Sequence, residues 1–191
     1  MKYFLIIFLF SNVIFAYDYG YDVLHLGVNM NGYFNYLSVK DKNNKTSNAY
    51  LYGLGNGLDE VVSFDKNLSF FYNPTFIFAT GNFTNNNDAN KNLLFLSIDV
   101  IMGLETDFIK NNYIRFGIKL GITTSFESEY YSFLDLGAEI TIGEKIRVKK
   151  ELYDIYLAFY YGALNYIFEE KIYKEINSNL RITIGSKWYF F

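Results

Sequence analysis

The chain has 191 residues, a formal net charge of -3 and no cysteine, and 51% of its residues are hydrophobic and 21% aromatic. One domain is expected at this length, and the lack of cysteine excludes disulfides, a thiol nucleophile and thiolate metal sites. A slightly acidic chain without a basic cluster also argues against nucleic acid as a partner.

The N-terminal segment, Met1 to Ala16, has the pattern of a secretory signal peptide. Lys2 is followed by an apolar run from Tyr3 to Phe10, and a second short apolar run ends at Ala16, a small residue suited to cleavage. The run is too short for a membrane-spanning helix. We therefore expect export, cleavage after Ala16 and a mature domain from Tyr17 to Phe191; an uncleaved anchor or a buried N-terminal strand is the alternative.

Eight later segments alternate between apolar and polar residues with a period of two, which predicts β-strands with two different faces. In chain order they are Asp22 to Tyr36, Ala49 to Gly57, Leu68 to Gly81, Leu93 to Glu105, Tyr113 to Thr124, Tyr131 to Gly143, Leu152 to Tyr166 and Asn179 to Phe191. We interpret Leu58 to Asn67 as a link between the second and third strands. Pro74 predicts a bulge or a kink in the third.

The fifth segment raises the question of which face meets water. Its apolar residues, such as Phe116 and Ile118, share one parity, and Arg115 and Lys119 lie on the other. A soluble barrel points its apolar face inward, whereas a membrane barrel points it toward lipid. Across the segments the polar face is rich in Gly, Ser, Thr and Asn, and Tyr and Phe crowd the strand ends like the aromatic girdles of membrane barrels. We predict an all-β fold, an eight-stranded antiparallel transmembrane β-barrel, with ten strands or a soluble lipid-binding barrel as alternatives.

Charged residues on the polar parity predict a charge network in the lumen. Its predicted members are Asp99, Glu105, Arg115, Lys119, Asp135, Glu139, Arg181 and Lys187. When neighbouring strands pair, Lys119 is expected to face Asp99 and Asp135, and Arg115 to face the two glutamates. Opposite charges at facing positions attract, and a confined lumen screens them less than a surface does. We hypothesise that this network closes the barrel; separate hydration of each charge in a wet lumen is the alternative.

The chain ends on an amphipathic strand with four aromatic residues, Trp188, Tyr189, Phe190 and Phe191. This ending resembles the C-terminal insertion signal of outer-membrane barrels. With the signal peptide and the eight strands, the mature chain resembles small outer-membrane barrels of the OmpA and OmpX type and their porin-like relatives. The resemblance is architectural, because no family-specific motif is present. Phe191 falls off the apolar parity, which leaves the register of the last strand open.

The resemblance implies a place in the outer membrane of a Gram-negative bacterium. It implies insertion by the barrel-assembly machinery, contact with outer-membrane lipid and lipopolysaccharide, and a monomer. A periplasmic peptidoglycan-binding domain is not expected to follow the barrel.

Few residues of the chain are suited to catalysis. We predict that the protein is not an enzyme and that it has no cofactor or metal site. His25 is the only histidine, and its surroundings offer neither the serine nor the orienting acid that nucleophilic catalysis requires. The leading hypothesis is a structural or interaction barrel whose outer loops contact lipopolysaccharide, a host surface or envelope partners. A narrow channel for ions or small solutes is the second hypothesis, disfavoured because side chains fill an eight-stranded interior. A lipid-modifying enzyme is the third.

Overall fold

The computed structural model describes residues 24–65, 67–85, 88–109, 111–126, 132–149, 151–168 and 173–190. The predicted signal peptide, its cleavage position and Phe191 lie outside this part of the chain. The strands are β1 (Leu24–Asp41), β2 (Thr46–Asp65), β3 (Leu68–Asn85), β4 (Asp88–Ile109), β5 (Asn112–Ser125), β6 (Ser132–Val148), β7 (Glu151–Ile167) and β8 (Tyr173–Tyr189). No helix among the described residues is long and apolar enough to cross a membrane.

The eight strands form one closed antiparallel barrel. Each strand pairs with its neighbours in chain order, and β1 pairs with β8. Closure gives every strand a partner on both sides, so the barrel has no open sheet edge. The predicted fold, an eight-stranded antiparallel barrel, is confirmed.

The topology gives the barrel two different ends. The connections from β1 to β2, β3 to β4, β5 to β6 and β7 to β8 share one end, which we call the loop end. The other connections, the start of β1 and the end of β8 share the opposite end, which we call the turn end.

Most strands are longer than predicted, and the largest error concerns β2. The segment from Leu58 to Asn67 is not a link, because β2 continues to Asp65. Within it Asp59 points into the lumen and is fully buried. A charged stretch that suggests a loop therefore belongs to a strand whose acid faces the interior.

The bulge predicted at Pro74 is absent, because the strand register does not shift there; the alternative prediction, a kink, is not tested by the register. Pro74 lies opposite Val100 in an uninterrupted register between β3 and β4. On the β2 side, pairing skips Leu58 and Asp59 and resumes without a shift. Proline has no N–H to donate to the sheet, and the Leu58 carbonyl oxygen accepts a hydrogen bond from Asn73 Nδ2 at 2.9 Å. A side chain thus supplies the donor that Pro74 lacks.

Over most of the barrel, apolar side chains point outward and polar side chains point into the lumen. On β5, Phe116 and Ile118 are exposed on the outer face, whereas Arg115 and Lys119 are buried inside. This is the distribution expected of a transmembrane barrel and the reverse of that of a soluble one.

Toward the loop end the lumen becomes apolar, and on β1 and β2 the outward positions become polar. There the lumen holds an apolar core, which we call the loop-end core; its members are Tyr33, Leu37, Val39, Ala49, Leu51, Ile77, Ala79, Leu93, Phe95, Phe133, Ile167 and Ile176. Ser38, Lys40, Thr46 and Asn48 occupy the outward positions of β1 and β2 at this level. The alternation continues beyond Tyr36, but the two kinds of residue exchange faces, which is why β1 was predicted to end too early.

The last strand keeps one parity to its end. Trp188 and Phe190 are exposed on the outer face, and Tyr189 is buried in the lumen. The register irregularities of β8 lie near the loop end, opposite Ser38 to Asp41. The register left open by the sequence is therefore regular through Phe190.

Candidate functional site

The lumen contains two clusters of charged side chains. The turn-end cluster consists of Glu105, Arg115, Asp59, Lys187 and Asp154. The middle cluster, nearer the loop-end core, consists of Asp135, Lys119, Asp99, Arg181 and Glu139. All ten residues are buried. β5 and β8 supply the four cations, and β2, β4, β6 and β7 supply the six carboxylates.

Arg115 is the most highly coordinated member of the turn-end cluster. Its Nη1 and Nη2 atoms donate to the two carboxylate oxygens of Asp59 at 2.7 and 2.9 Å, and its Nε donates to Glu105 Oε2 at 2.6 Å. The guanidinium carbon lies 4.6 Å from the centroid of the Phe71 ring. A bidentate ion pair of this kind fixes both charge and orientation.

Asp59 also links Arg115 to the last strand. Lys187 Nζ lies 3.4 Å from Asp59 Oδ1 and 3.6 Å from Asp154 Oδ2. The Tyr189 hydroxyl donates to Asp59 Oδ2 at 2.6 Å. The turn-end cluster is therefore an alternating chain of acid, base, acid, base and acid, with Asp59 at its centre.

The middle cluster repeats this alternation. Lys119 Nζ lies 2.5 Å from Asp135 Oδ2 and 3.5 Å from Asp99 Oδ2. Arg181 contacts Asp99 through Nη1, and its Nη2 lies 3.3 Å from Glu139 Oε2. Asp99 holds the central place that Asp59 holds in the other cluster. In both, each cation contacts two carboxylates.

The structure brings the predicted lumen residues together, but in a different arrangement from the two predicted tiers. Lys119 contacts Asp99 and Asp135, but both acids lie opposite Gly121 and not opposite Lys119 as predicted. Arg115 lies opposite Glu105 and contacts it. The predicted contact between Arg115 and Glu139 is wrong. Glu139 lies opposite Gly117 in the register and contacts Arg181 from β8.

Sequence reasoning missed two members of the turn-end cluster. Asp59 lies in the segment from Leu58 to Asn67, which the sequence pattern predicts to be a link and not a strand. Asp154 lay within the predicted seventh strand at a lumenal position, so its parity alone was sufficient to find it. Lys145, at the turn-end mouth, was also missed; its Nζ lies 2.6 Å from Glu105 Oε1 and 2.9 Å from Asp107 Oδ1.

Little free space remains along the lumen. A mouth of about 480 Å³ opens at the turn end and is lined by His25, Arg147 and Lys145, among others. Deeper inside, a cavity of about 30 Å³ touches Arg115 of one cluster and Arg181 of the other. Such a volume holds water molecules but no larger solute. The loop-end core lies beyond the middle cluster, so charges and then apolar side chains fill the barrel.

The described side chains do not form a recognisable catalytic or metal site. His25 lies at the turn-end mouth with its ring centroid 6.3 Å from that of Tyr189. Within the described part of the chain, no group of three or more His, Cys, Asp or Glu is arranged to hold a metal ion. The buried carboxylates of the two clusters contact cations of the protein itself.

No protein-family model and no curated protein matches the chain. Three solved structures similar to it are outer-membrane proteins or domains. Neisserial surface protein A has 12% identity and a TM-score of 0.46, over 86% of this chain and 97% of that one. Ail, the attachment invasion locus protein of Yersinia pestis, has 14% identity and a TM-score of 0.45, over 87% and 99%. The translocator domain of the autotransporter NalP from Neisseria meningitidis has 8% identity and a TM-score of 0.41, over 95% and 93%.

At these identities the similarity concerns the fold alone and carries no information on ligands or activity. Strand number and closure follow from the strand pairing of this chain itself. The closed eight-stranded architecture predicted from the sequence is confirmed by that pairing.

Proposed function

We propose that this chain is a non-conducting outer-membrane barrel that acts as a structural or interaction protein through its loop end. The observation that carries the proposal is the filled lumen, in which two charged clusters and the loop-end core follow one another. Export by the predicted signal peptide and insertion by the barrel-assembly machinery are part of the proposal. The turn end then faces the periplasm and the loop end the cell exterior.

The outer surface supports a membrane location. On β5 the outward apolar residues run from Ile114 to Ile122, nine positions along one strand. A transmembrane strand needs about 9–11 tilted residues. Trp188 near the turn end and Tyr50 near the loop end lie on the same outer face, where aromatic side chains favour the membrane interface. A soluble barrel would expose this entire surface to water.

The channel hypothesis makes the opposite prediction about conductance. We expect purified protein, refolded into a planar lipid bilayer, to show no steady single-channel current, because side chains fill the lumen of an eight-stranded barrel. A general porin run in the same bilayers serves as the positive control. Regular, voltage-independent conductance steps from the wild-type protein would refute the non-conducting assignment.

The hairpin between β1 and β2 supports lipopolysaccharide as a partner at the loop end. It carries Lys40, Lys42 and Lys45, and Glu175 of β8 lies opposite Lys40 in the strand register. The one acid in the hairpin itself, Asp41, is engaged in the turn, since its Oδ1 accepts the backbone N–H groups of Asn43 at 2.8 Å and Lys45 at 2.7 Å. The patch therefore has net positive charge, and Tyr36 and Tyr50 pack below it. Phosphates of lipopolysaccharide lie at this level of an outer membrane.

Replacing Lys40, Lys42 and Lys45 together with Gln is expected to weaken binding to lipopolysaccharide by tenfold or more. Each lysine near an anionic membrane surface contributes about 1 kcal/mol. Isothermal titration with purified lipopolysaccharide measures the effect. The matched control, Arg147→Gln with Lys149→Gln at the turn end, should bind like the wild type. Equal loss in both variants would mean that net charge, not the hairpin, determines binding.

A further inference from the structure

One side of the outer surface breaks the apolar pattern. Asn56 of β2 is exposed on the outer face between Leu54 and Leu58, which are also exposed. In the strand register Asn56 lies opposite Met30 of β1, and Met30 lies opposite Ser186 of β8. A polar residue thus flanks Met30 on each side. At comparable depth, the outward residues of β4 and β5 are apolar.

Asn56 lies in the middle of the membrane-facing part of β2. Tyr50 is six residues away toward the loop end, and Val62 is six residues away toward the turn end. At this depth the lipid offers no hydrogen-bond partner. Leaving an amide unsatisfied in an apolar environment costs several kcal/mol, so a lipid-facing asparagine is expensive unless another polar group meets it.

Glu60 is a third polar residue on the outward parity of the same side. It follows Asn56 on the outward parity of β2, opposite Leu26 of β1 and Tyr72 of β3. Its side chain is more than nine-tenths buried, and Oε2 has no hydrogen-bond partner among the described residues. Polar groups in the membrane that face away from the lumen mark functional surfaces by default. Asn56 and Ser186, which are exposed, mark this one, which we call the polar side; Glu60 lies beside them on the outward parity but is covered by its neighbours.

A second copy of the chain is the partner that fits Asn56 best. A carboxamide both donates and accepts hydrogen bonds, so it pairs with an identical carboxamide. Copies inserted in the same direction hold Asn56 at the same depth, and a twofold axis along the membrane normal brings the two amides together. Lipid chains offer neither a donor nor an acceptor.

The position of Glu60 is compatible with such a pairing. It lies four residues, roughly 13 Å, further along β2 than Asn56. Strands in barrels tilt by about 35–45° from the barrel axis, so two facing copies of β2 cross at Asn56 and then diverge. The two Glu60 carboxylates are therefore held apart and do not oppose the contact.

We propose that two copies associate in the membrane through the polar side, with Asn56 of each copy hydrogen bonded to Asn56 of the other. The inference rests on the proposed membrane location and replaces the monomer expected from the sequence. Association between membrane segments is driven by packing and interchain hydrogen bonds, so the dimer is expected to be reversible.

The absence of cysteine makes a crosslinking test simple, because a single introduced thiol reports one position. Leu54→Cys places a thiol beside Asn56 and leaves the amide intact. Ile118→Cys on β5 is the matched control, because it is also exposed on the outer face, 62% against 73% for Leu54. Membranes isolated from expressing cells are treated with a short, membrane-permeant bis-maleimide, and the dimer fraction is read on a denaturing gel.

We expect a crosslinked dimer from Leu54→Cys and only background from Ile118→Cys. Adding Asn56→Leu to Leu54→Cys should lower the dimer fraction about fivefold, since the amide pair is lost while the apolar surface is kept. Equal crosslinking at both positions, none at Leu54→Cys, or no effect of Asn56→Leu would overturn the dimer. The tests are separable, because a protein missing from the outer-membrane fraction refutes the proposed location, whereas one that is present and not crosslinked refutes only the dimer.

Discussion

Arg115→Leu is expected to lower the free energy of unfolding by about 3–5 kcal/mol, the usual cost of removing one partner of a buried ion pair. Arg115 contacts both Asp59 and Glu105, whose exposed fractions are 0% and 2%. Losing the cation leaves two buried carboxylates with fewer counter-charges. Urea unfolding of protein refolded into lipid vesicles measures the change, with the fluorescence of Trp188, the only tryptophan, as the probe.

The control for this prediction is Arg147→Leu, which removes the same side chain from an exposed position at the turn-end mouth. We expect a change within about 0.5 kcal/mol. Adding Glu105→Gln to Arg115→Leu should recover part of the lost stability, because one uncompensated charge disappears. If Arg115→Leu unfolds like the wild type, each charge in the lumen is separately hydrated and the network hypothesis is wrong.

Leu93→Ala is expected to lower the free energy of unfolding by about 2–5 kcal/mol, because it leaves a cavity in the loop-end core. Its neighbour provides a matched control, since Leu94 is the same residue type on the opposite face. Leu93 is 0% exposed, whereas Leu94 is 59% exposed on the outer surface. Leu94→Ala should cost less than about 1 kcal/mol, the difference in lipid transfer between the two side chains.

The same urea titration of both variants reports whether the loop end has a dry interior. A large gap between Leu93→Ala and Leu94→Ala is the signature of a packed core inside the barrel. Similar costs at the two positions would indicate a hydrated loop end and would reopen the channel hypothesis.

The sequence was sufficient to predict the fold because, over most of each strand, apolar and polar residues alternate and each kind keeps to one face of the barrel. On β5, predicted from Tyr113 to Thr124, the strand runs from Asn112 to Ser125. The predicted end of β1 was wrong. Leu37 and Val39 continue the alternation, but there the apolar residues face the lumen, so the polarity pattern changes at Tyr36 although the strand continues to Asp41.

The charged clusters were predictable only as far as adjacent strands determine them. Lys119 reaches Asp99 and Asp135 on the two neighbouring strands, so local parity was enough. Arg181 meets Asp99 across the lumen, 82 residues away in sequence. Contacts of this kind depend on how the closed barrel staggers its strands, which no single strand pattern reveals.

The alternating chains of charge have a consequence for the order of assembly. Asp59 and Asp99, the central aspartates of the two clusters, each contact one cation from β5 and one from β8, the last of the eight strands. A sheet that holds β1 to β7 but has not yet docked β8 would leave Asp59 and Asp99 each with half of its compensating charge. At the proposed location in the outer membrane such an intermediate is penalised, because an incompletely paired charge is costly there. Docking of β8 therefore closes the backbone ladder and gives each central aspartate its second cation in the same step, which favours all-or-none insertion over stable partial barrels.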